Sequence, residues 1–461
     1  MRSPSQADAA RRLSAAIDTH AAALRSDPLY LDRCQVDTPE HLVELVWQLV
    51  RARRPTVSKV VDFGAGDARF ATLGGYDTYL GYEIDTARIG RAPRGSNVRV
   101  VPHCAFSHQE QDADVCVGNP PYVRNQDLPG GWRQMAAEEV LHRTGVNLSG
   151  LANAWHYFLM LALWSVTSDG LVAQVLPFEW VSRPAAAPIR GYIDANGWCV
   201  EVYRLCDGVF PDVLTVPSIT IIDKQGPSGW RFHEIDADGG VKDLASPTGT
   251  VAGVLAYTRV CDDKTPRAKR GLSPGTQQVL TLSEGERVHA GLHVRRDVVR
   301  CVTSLRPIPP KLVHLTPAAF DQYLVATGAK CWLIRTNREP SARLQGYLES
   351  IDESRYQTST CLGREQWWQF LMPQQVPRLL IAQAFKGATP KAVVNDVQAH
   401  AVGGVAGVYN ISTAAGVRLI EELAAQNLHD RLVPYAKQMR KLEINQINSL
   451  LISMHCVGCD A

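Results

Sequence analysis

The sequence predicts an α/β domain, a mainly parallel sheet with helices on both faces, followed by a mixed α+β domain. Three observations carry this reading. Short β-branched runs alternate with helical patterns through the first half. A breaker-rich stretch, Lys224-Gln-Gly-Pro-Ser-Gly229, then interrupts the pattern. Beyond it the periodicity weakens and short apolar runs are separated by Gly and Pro. The length of 461 residues accommodates two such domains. The expected division is 1–230 and 231–461.

The elements follow in order. Leu42 to Val50 reads as a helix. Lys59 to Asp62 is a strand that runs into glycines, and Tyr79 to Ile84 is a second. Asp114 to Gly118 is a third and Leu171 to Leu176 a fourth, with a helix from Ala154 to Trp164 between them. Glu201–Leu205 and Ile219–Ile222 are expected to join the same sheet late. In the second half, Leu379 to Ala382 and Ala392 to Val394 are short apolar runs. Val417 to Ile452 reads as predominantly helical, with a break at Pro434.

Composition narrows the functional classes. Hydrophobic residues at 45% and charged residues at 20% are a globular balance, which argues against a disordered chain or a coiled coil. The 11 cysteines are odd in number and scattered, so a disulfide framework is not expected. Met1 to Arg12 lacks the apolar core of a secretory signal. Leu151 to Val166 is interrupted by His156 and is too short to span a bilayer. A reduced, soluble protein of the cytoplasm, with no membrane partner, is expected. Net charge is only +2, yet residues 231–461 sum to about +6 and the first 230 to about −4. The second half is therefore expected to meet something anionic.

The first chemical feature is Val60-Val61-Asp62-Phe63-Gly64-Ala65-Gly66-Asp67. A strand enters a turn whose glycines let the backbone approach a ligand. On its own this is often only a tight turn. Glu83, in Tyr82-Glu83-Ile84-Asp85, follows Gly64 by 19 positions, where an acid can accept the two hydroxyls of a ribose. Arg69 stands where the third small residue of a dinucleotide fingerprint belongs, and there is no P-loop lysine. A nucleoside cofactor without a phosphate chain, S-adenosylmethionine, fits better.

The second feature, Asn119-Pro120-Pro121-Tyr122, is the most specific. It follows a strand, at the sheet edge where α/β proteins place their ligands. An amine on a planar ring is a poor nucleophile because its lone pair is delocalised. Two acceptors, the Asn119 side-chain oxygen and the Pro120 carbonyl, can draw the nitrogen toward tetrahedral geometry. Pro120 and Pro121 fix the backbone, and Tyr122 offers a face for the ring. No metal is needed. Asn-Pro-Pro-Tyr serves any planar amine or amide, so nucleic-acid and protein substrates both stay open.

These motifs resemble those of amino-methyltransferases. The order of a cofactor-closing segment (Thr38-Pro39-Glu40-His41-Leu42-Val43), cofactor turn, Asn-Pro-Pro-Tyr and C-terminal domain is similar to the gamma group of adenine-N6 DNA methyltransferases from restriction–modification systems. Downstream, Gly170 to Pro177, Ile189-Arg190 and Phe210 follow that layout. Trp367-Trp368, Pro377 to Ile381 and Gly407-Val408-Tyr409-Asn410 resemble the recognition domain. The resemblance implies a Rossmann-like S-adenosylmethionine-dependent methyltransferase domain and a DNA-recognition domain. It implies cofactor contacts from Thr38, Pro39, Asp62, Gly64, Ala65, Gly66, Glu83, Ile84, Phe106 and Asn119. Two positions depart from the family: Ala105 stands where an acid toward the adenine is usual, and Ala186 where some members stack an aromatic on the target base. Phe178 or Trp180 are possible substitutes, although core packing explains both.

Adenine's amine is paired inside a duplex, so the base must be flipped out at a cost of a few kcal/mol. Contacts to double-stranded DNA are expected from Lys264, Arg267, Lys269 and Arg270, then Arg295, Arg296 and Arg300, then Arg335 and Arg338. The metal reading of His455-Cys456-Val457-Gly458-Cys459 lacks a second matching pair. A nuclease spelling, Pro211-Asp212 with Asp262-Asp263-Lys264, is split across the expected boundary, so any restriction endonuclease is expected on a separate chain. Two alternatives remain: a methyltransferase for RNA or a protein glutamine amide, and a non-catalytic DNA-binding subunit that keeps the fold.

Overall fold

A computed structural model describes residues 36–93, 95–206, 215–251, 253–262, 264–436 and 439–457. The chain divides into two compact units, one running to residue 252 and including 433–438, the other covering 253–432 and 439–461.

The first unit is organised by a nine-stranded sheet of order β3-β2-β1-β4-β5-β7-β6-β8-β9. Its strands are β1 (Lys59–Phe63), β2 (Thr78–Tyr82), β3 (Val98–Val101), β4 (Ala113–Gly118), β5 (Val166–Pro177), β6 (Cys199–Leu205), β7 (Pro217–Asp223), β8 (Gly229–Ile235) and β9 (Val241–Leu244). β1 to β5 are mutually parallel, and β7 runs antiparallel between β5 and β6. The strand order reverses between β1 and β4, whose carboxyl ends therefore open a crevice.

The near-continuous apolar runs of β1 and β4 reflect burial on both faces. Val60, Val115 and Val117 enter one core with Leu42, Val46 and Trp47 of the helix Glu40–Arg51. Their neighbours Val61 and Cys116 enter the other, with Trp132 of the helix Gly130–Thr144 and the helix Ala154–Ser165. Period-2 alternation of the strands sorts them. The helix Ala154–Ser165 is apolar on nearly every side, because all of it but Trp164 is buried.

The expected boundary at residue 230 is corrected. Lys224 to Gly229 is a turn between β7 and β8 of one sheet, and β8 and β9 extend that sheet past it. β3 and the helices Gly130–Thr144 and Ala187–Ala195 were not expected as elements. β2 stops at Tyr82, so Glu83 to Asp85 form a loop rather than the strand end.

The second unit is mixed α+β. A five-stranded sheet orders Arg267–Lys269, Val405–Tyr409, Leu379–Ala382, Ala392–Asn395 and His314–Leu315. A four-stranded sheet orders Thr281–Leu282, Trp332–Ile334, Val298–Val302 and His400–Ala401. Over 417–452, expected to be predominantly helical with a break at Pro434, the chain forms helices Thr413–Ala425 and Ile444–Val457; the break holds two short strands, Pro434–Ala436, which belongs to the first unit, and Met439–Lys441. Among the described residues no helix is long and apolar enough to cross a membrane.

Candidate active site

The crevice at the ends of β1, β2 and β4 is a cavity of about 880 Å³, including its open mouth. Its first wall is the turn after β1. Gly64 has φ +80° and Gly66 φ +60°, conformations that favour glycine. The Gly64 and Ala65 amides both donate to the Tyr82 carbonyl at 2.9 Å, which pins the turn to the end of β2. Glu83 Oε2 accepts the Gly66 amide and Oε1 the Asp85 amide, each at 2.8 Å. Burial raises the Glu83 pKa, and these amide contacts oppose the rise. Both oxygens keep further acceptor capacity toward the cavity.

Asp62 lies beneath. Its Oδ2 accepts the Tyr79 hydroxyl at 2.6 Å, whereas Oδ1 is buried without a partner. Burial pushes this carboxyl up to about 7, although the Tyr79 bond pulls the other way. Gly118, at φ +141°, makes the arrangement possible: a Cβ there would lie 2.5 Å from Asp62 Oδ1.

Asn119 follows directly. Its Nδ2 donates to Thr38 Oγ1 at 3.1 Å, while its Oδ1 is buried with no partner. The side chain is thus held by its amine end and presents an unsatisfied acceptor beside the cavity. Pro121 lines the cavity, and its Cδ would lie 3.5 Å from a Cβ placed on Gly64, so motif and cofactor turn touch. Pro120, between Asn119 and Pro121 in the chain, is buried and does not line the cavity. Tyr122 is not in the cavity wall; its hydroxyl donates to the Val175 carbonyl at 2.9 Å, which ties the motif to β5.

The expected cofactor residues converge, with two differences. Thr38, Asp62, Gly64, Ala65, Gly66, Glu83, Ile84 and Asn119 line the cavity; Pro39 precedes the first helix and does not. Phe106 is fully buried and packs edge-on against Trp132 and Phe158, and it is those two rings that form the wall. The sequence reading missed both, because nothing local marks a tryptophan on a separate helix as a cavity residue. It also missed the clamp on the entrance segment. Asp37 pairs with Arg88 and, at 2.9 Å, with Arg69, whose Nη1 also donates to the Thr38 carbonyl at 3.1 Å. The unusual arginine at position 69 was the available signal. Phe178, Trp180 and Ala186 are all buried; Trp180 Nε1 donates to Thr220 Oγ1 at 3.1 Å, as a core residue does.

In the second unit, Lys264, Lys269, Arg270, Arg295, Arg296 and Arg338 are exposed, and Arg267, Arg300 and Arg335 half-buried. Arg267 and Lys269 share one face of their strand, with Ala268 buried between them. Arg335 donates to the Arg295 carbonyl, joining two basic groups that are distant in sequence. Lys269 lies 5.1 Å from the Tyr409 ring and Arg300 5.5 Å from the Phe320 ring. Among the described residues no cluster of three or more His, Cys, Asp or Glu suits a metal ion. Phe210, Pro211, Asp212, Asp263 and Cys459 lie outside the described residues.

Fold and site together define the class: a Rossmann-like methyltransferase fold with a buried amide oxygen beside a cavity at the carboxyl ends of its parallel strands. More particularly, the chain is similar to restriction–modification DNA methyltransferases. Residues 90–207 match the family model described as Eco57I restriction-modification methylase. The chain is 27% identical over 237 residues to the Type II methyltransferase M.XamI of Xanthomonas campestris pv. amaranthicola, covering 47% of this chain and 44% of that protein. It is 25% identical over 229 residues to the Type II methyltransferase M.PaeR7I of Pseudomonas aeruginosa, covering 47% and 38%. The matched region thus spans less than half the length of either relative. Among solved structures, the Type IIL restriction–modification enzyme MmeI in complex with DNA superposes with a TM-score of 0.54 at 10% identity, covering 95% of this chain and 65% of that one, a likeness of fold.

Proposed function

We propose that this chain is a sequence-specific DNA methyltransferase that uses S-adenosylmethionine to methylate the N6 amine of a flipped-out adenine, as the modification enzyme of a restriction–modification system. The observation that carries the reading is Asn119: a buried Oδ1 with no partner, held in place through Nδ2 by Thr38. A buried acceptor left unsatisfied costs about 1–3 kcal/mol. An incoming N–H donor removes that cost, which makes the oxygen a preformed receptor for an amine.

The residues fit the cofactor. Glu83 would take the ribose hydroxyls with the acceptor capacity its backbone bonds leave. Trp132, Phe158 and Ile84 offer apolar surface to the purine, and Asp62 and the Gly64–Gly66 turn would hold the amino-acid end. When bound, S-adenosylmethionine supplies an electrophilic methyl group on a sulfonium sulfur. Asn119 Oδ1 and the Pro120 carbonyl accept the two amine hydrogens and localise the nitrogen lone pair. Pro121, packed against the cofactor turn, fixes the distance between the two halves of the site. Arg295, Arg296, Arg335 and Arg338, with Lys264, Arg267, Lys269 and Arg270, contact DNA phosphates and base edges.

The test is transfer of labelled methyl groups into duplex DNA, structured RNA and a glutamine-bearing protein, with wild type and Asn119→Ala. Label is expected in DNA adenine and is expected to fall at least about 100-fold in the variant, with duplex binding retained. Label in RNA or protein, or turnover that survives N119A, would refute the proposal. Absent turnover in the wild type, with binding intact, would leave a non-catalytic DNA-binding subunit.

A further inference from the structure

The second unit carries a surface feature that methyl transfer does not use. Phe370 and Met372 are both buried in its core, whereas Leu371 between them is 92% exposed. With both neighbours packed into the core, Leu371 is left facing outward. Single exposed leucines are common on protein surfaces; what distinguishes this one is its setting.

The Phe370 carbonyl accepts Thr336 Oγ1 at 2.6 Å, tying the segment to residues 335–338. Arg335 in turn donates to the Arg295 carbonyl, and Val298 pairs with Ile334 across adjacent strands. Three stretches remote in sequence therefore meet at one end of the four-stranded sheet. They present Arg295 and Arg296, Arg335 with Asn337 and Arg338, and Leu371. Arg335 is held below its ordinary pKa by burial and by the nearby charge of Arg338. Cations kept this close repel one another, and a polyanion relieves that repulsion. Glu339 is the exposed acid that follows them.

We propose that Leu371 is an apolar wedge that enters a DNA duplex at a base step, flanked by arginines that hold the adjoining phosphates. Apolar side chains inserted beside arginines unstack and kink duplexes in this way. The inference rests on the DNA reading above. It adds that the recognition unit deforms its target as well as contacting it.

The test uses the full chain and an end-labelled duplex bearing the modified sequence found by genome-wide methylation mapping. Bend is read by energy transfer, step unstacking by 2-aminopurine fluorescence, and affinity as a function of salt. L371A is expected to lose the bend and the fluorescence rise and to weaken site binding about tenfold, with an unchanged salt slope. L371M is expected to keep all three. The wedge is overturned if L371A bends and binds like wild type, or if it changes the oligomeric state measured by light scattering. It is equally overturned if replacing thymine by uracil reproduces the L371A loss, which would make Leu371 a methyl contact. A wild type that binds no duplex at all sinks the DNA reading first, and the wedge with it.

Discussion

The crevice of the first unit and the arginine-rich end of the second treat polar groups in opposite ways. In the crevice, Asp62, Glu83 and Asn119 are buried or nearly so and tethered by one specific partner each or more, with an acceptor left open at Asp62 and Asn119. At the arginine end, Arg295, Arg296 and Arg338 are exposed, and order comes from the backbone: Arg295 is held at φ +70° with its carbonyl capped by Arg335. Chemistry on an amine needs a fixed direction, and burial with one tether supplies it. Attraction to a polyanion needs charge and reach, which exposure preserves. Substitutions in the two places should therefore fail differently.

The largest effect that separates them is expected from Gly118→Ala. The new Cβ would strike Asp62 Oδ1 at 2.5 Å on a backbone at φ +141°. Chemical denaturation should show a loss of about 1–3 kcal/mol, accompanied by loss of methyl transfer. Full activity in G118A would show that the β1 and β4 ends do not need this close approach. Thr38→Val comes next. Removing the hydroxyl frees the Asn119 amide, and kcat should drop about tenfold, the worth of one hydrogen bond, while duplex affinity holds. An unaltered kcat would mean that Asn119 is oriented by something else.

On the other side of the comparison, Arg295→Ala with Arg296→Ala should leave single-turnover chemistry on bound DNA unchanged and make the salt dependence of binding shallower, by about two units of slope. An unchanged slope would place these arginines away from the phosphates. The smallest effect is a pH signature at Asp62. Burial pushes its carboxyl up to about 7 in the folded state, from an ordinary value of 3.8, so the folded state holds the proton longer than the unfolded chain. Stability should therefore decline as pH rises from about 4 to 7 and level off above. Asp62→Asn should abolish that part of the decline. Parallel thermal-melt profiles for the two proteins would exclude the shifted carboxyl.

What was legible in the sequence was local. The glycine turn, Glu83 and Asn119 to Tyr122 each sit within a few residues of a strand end, and the strands announced themselves by β-branched runs. What was hidden depended on register. Trp132 and Phe158 reach the cavity from two helices, and the wall passed over Phe106, which looked better placed in the chain but is sealed behind them. The Lys224 to Gly229 stretch has the composition of a linker yet turns the chain within one sheet, because β8 pairs with β6 in parallel and carries the core outward. Arg295 and Arg335 meet only because Val298 stands opposite Ile334. Net charge by halves singled out the second unit and could not show which cations gather.

The lone oxygen of Asn119 also has a consequence for the resting molecule. A leucine of similar size in its place would remove a buried acceptor without a partner, so this variant should melt at a higher temperature than the wild type. Random variants selected only for heat tolerance should accumulate there, and loss of methyl transfer in them would support the proposed reaction as what keeps the asparagine against the preference of the fold.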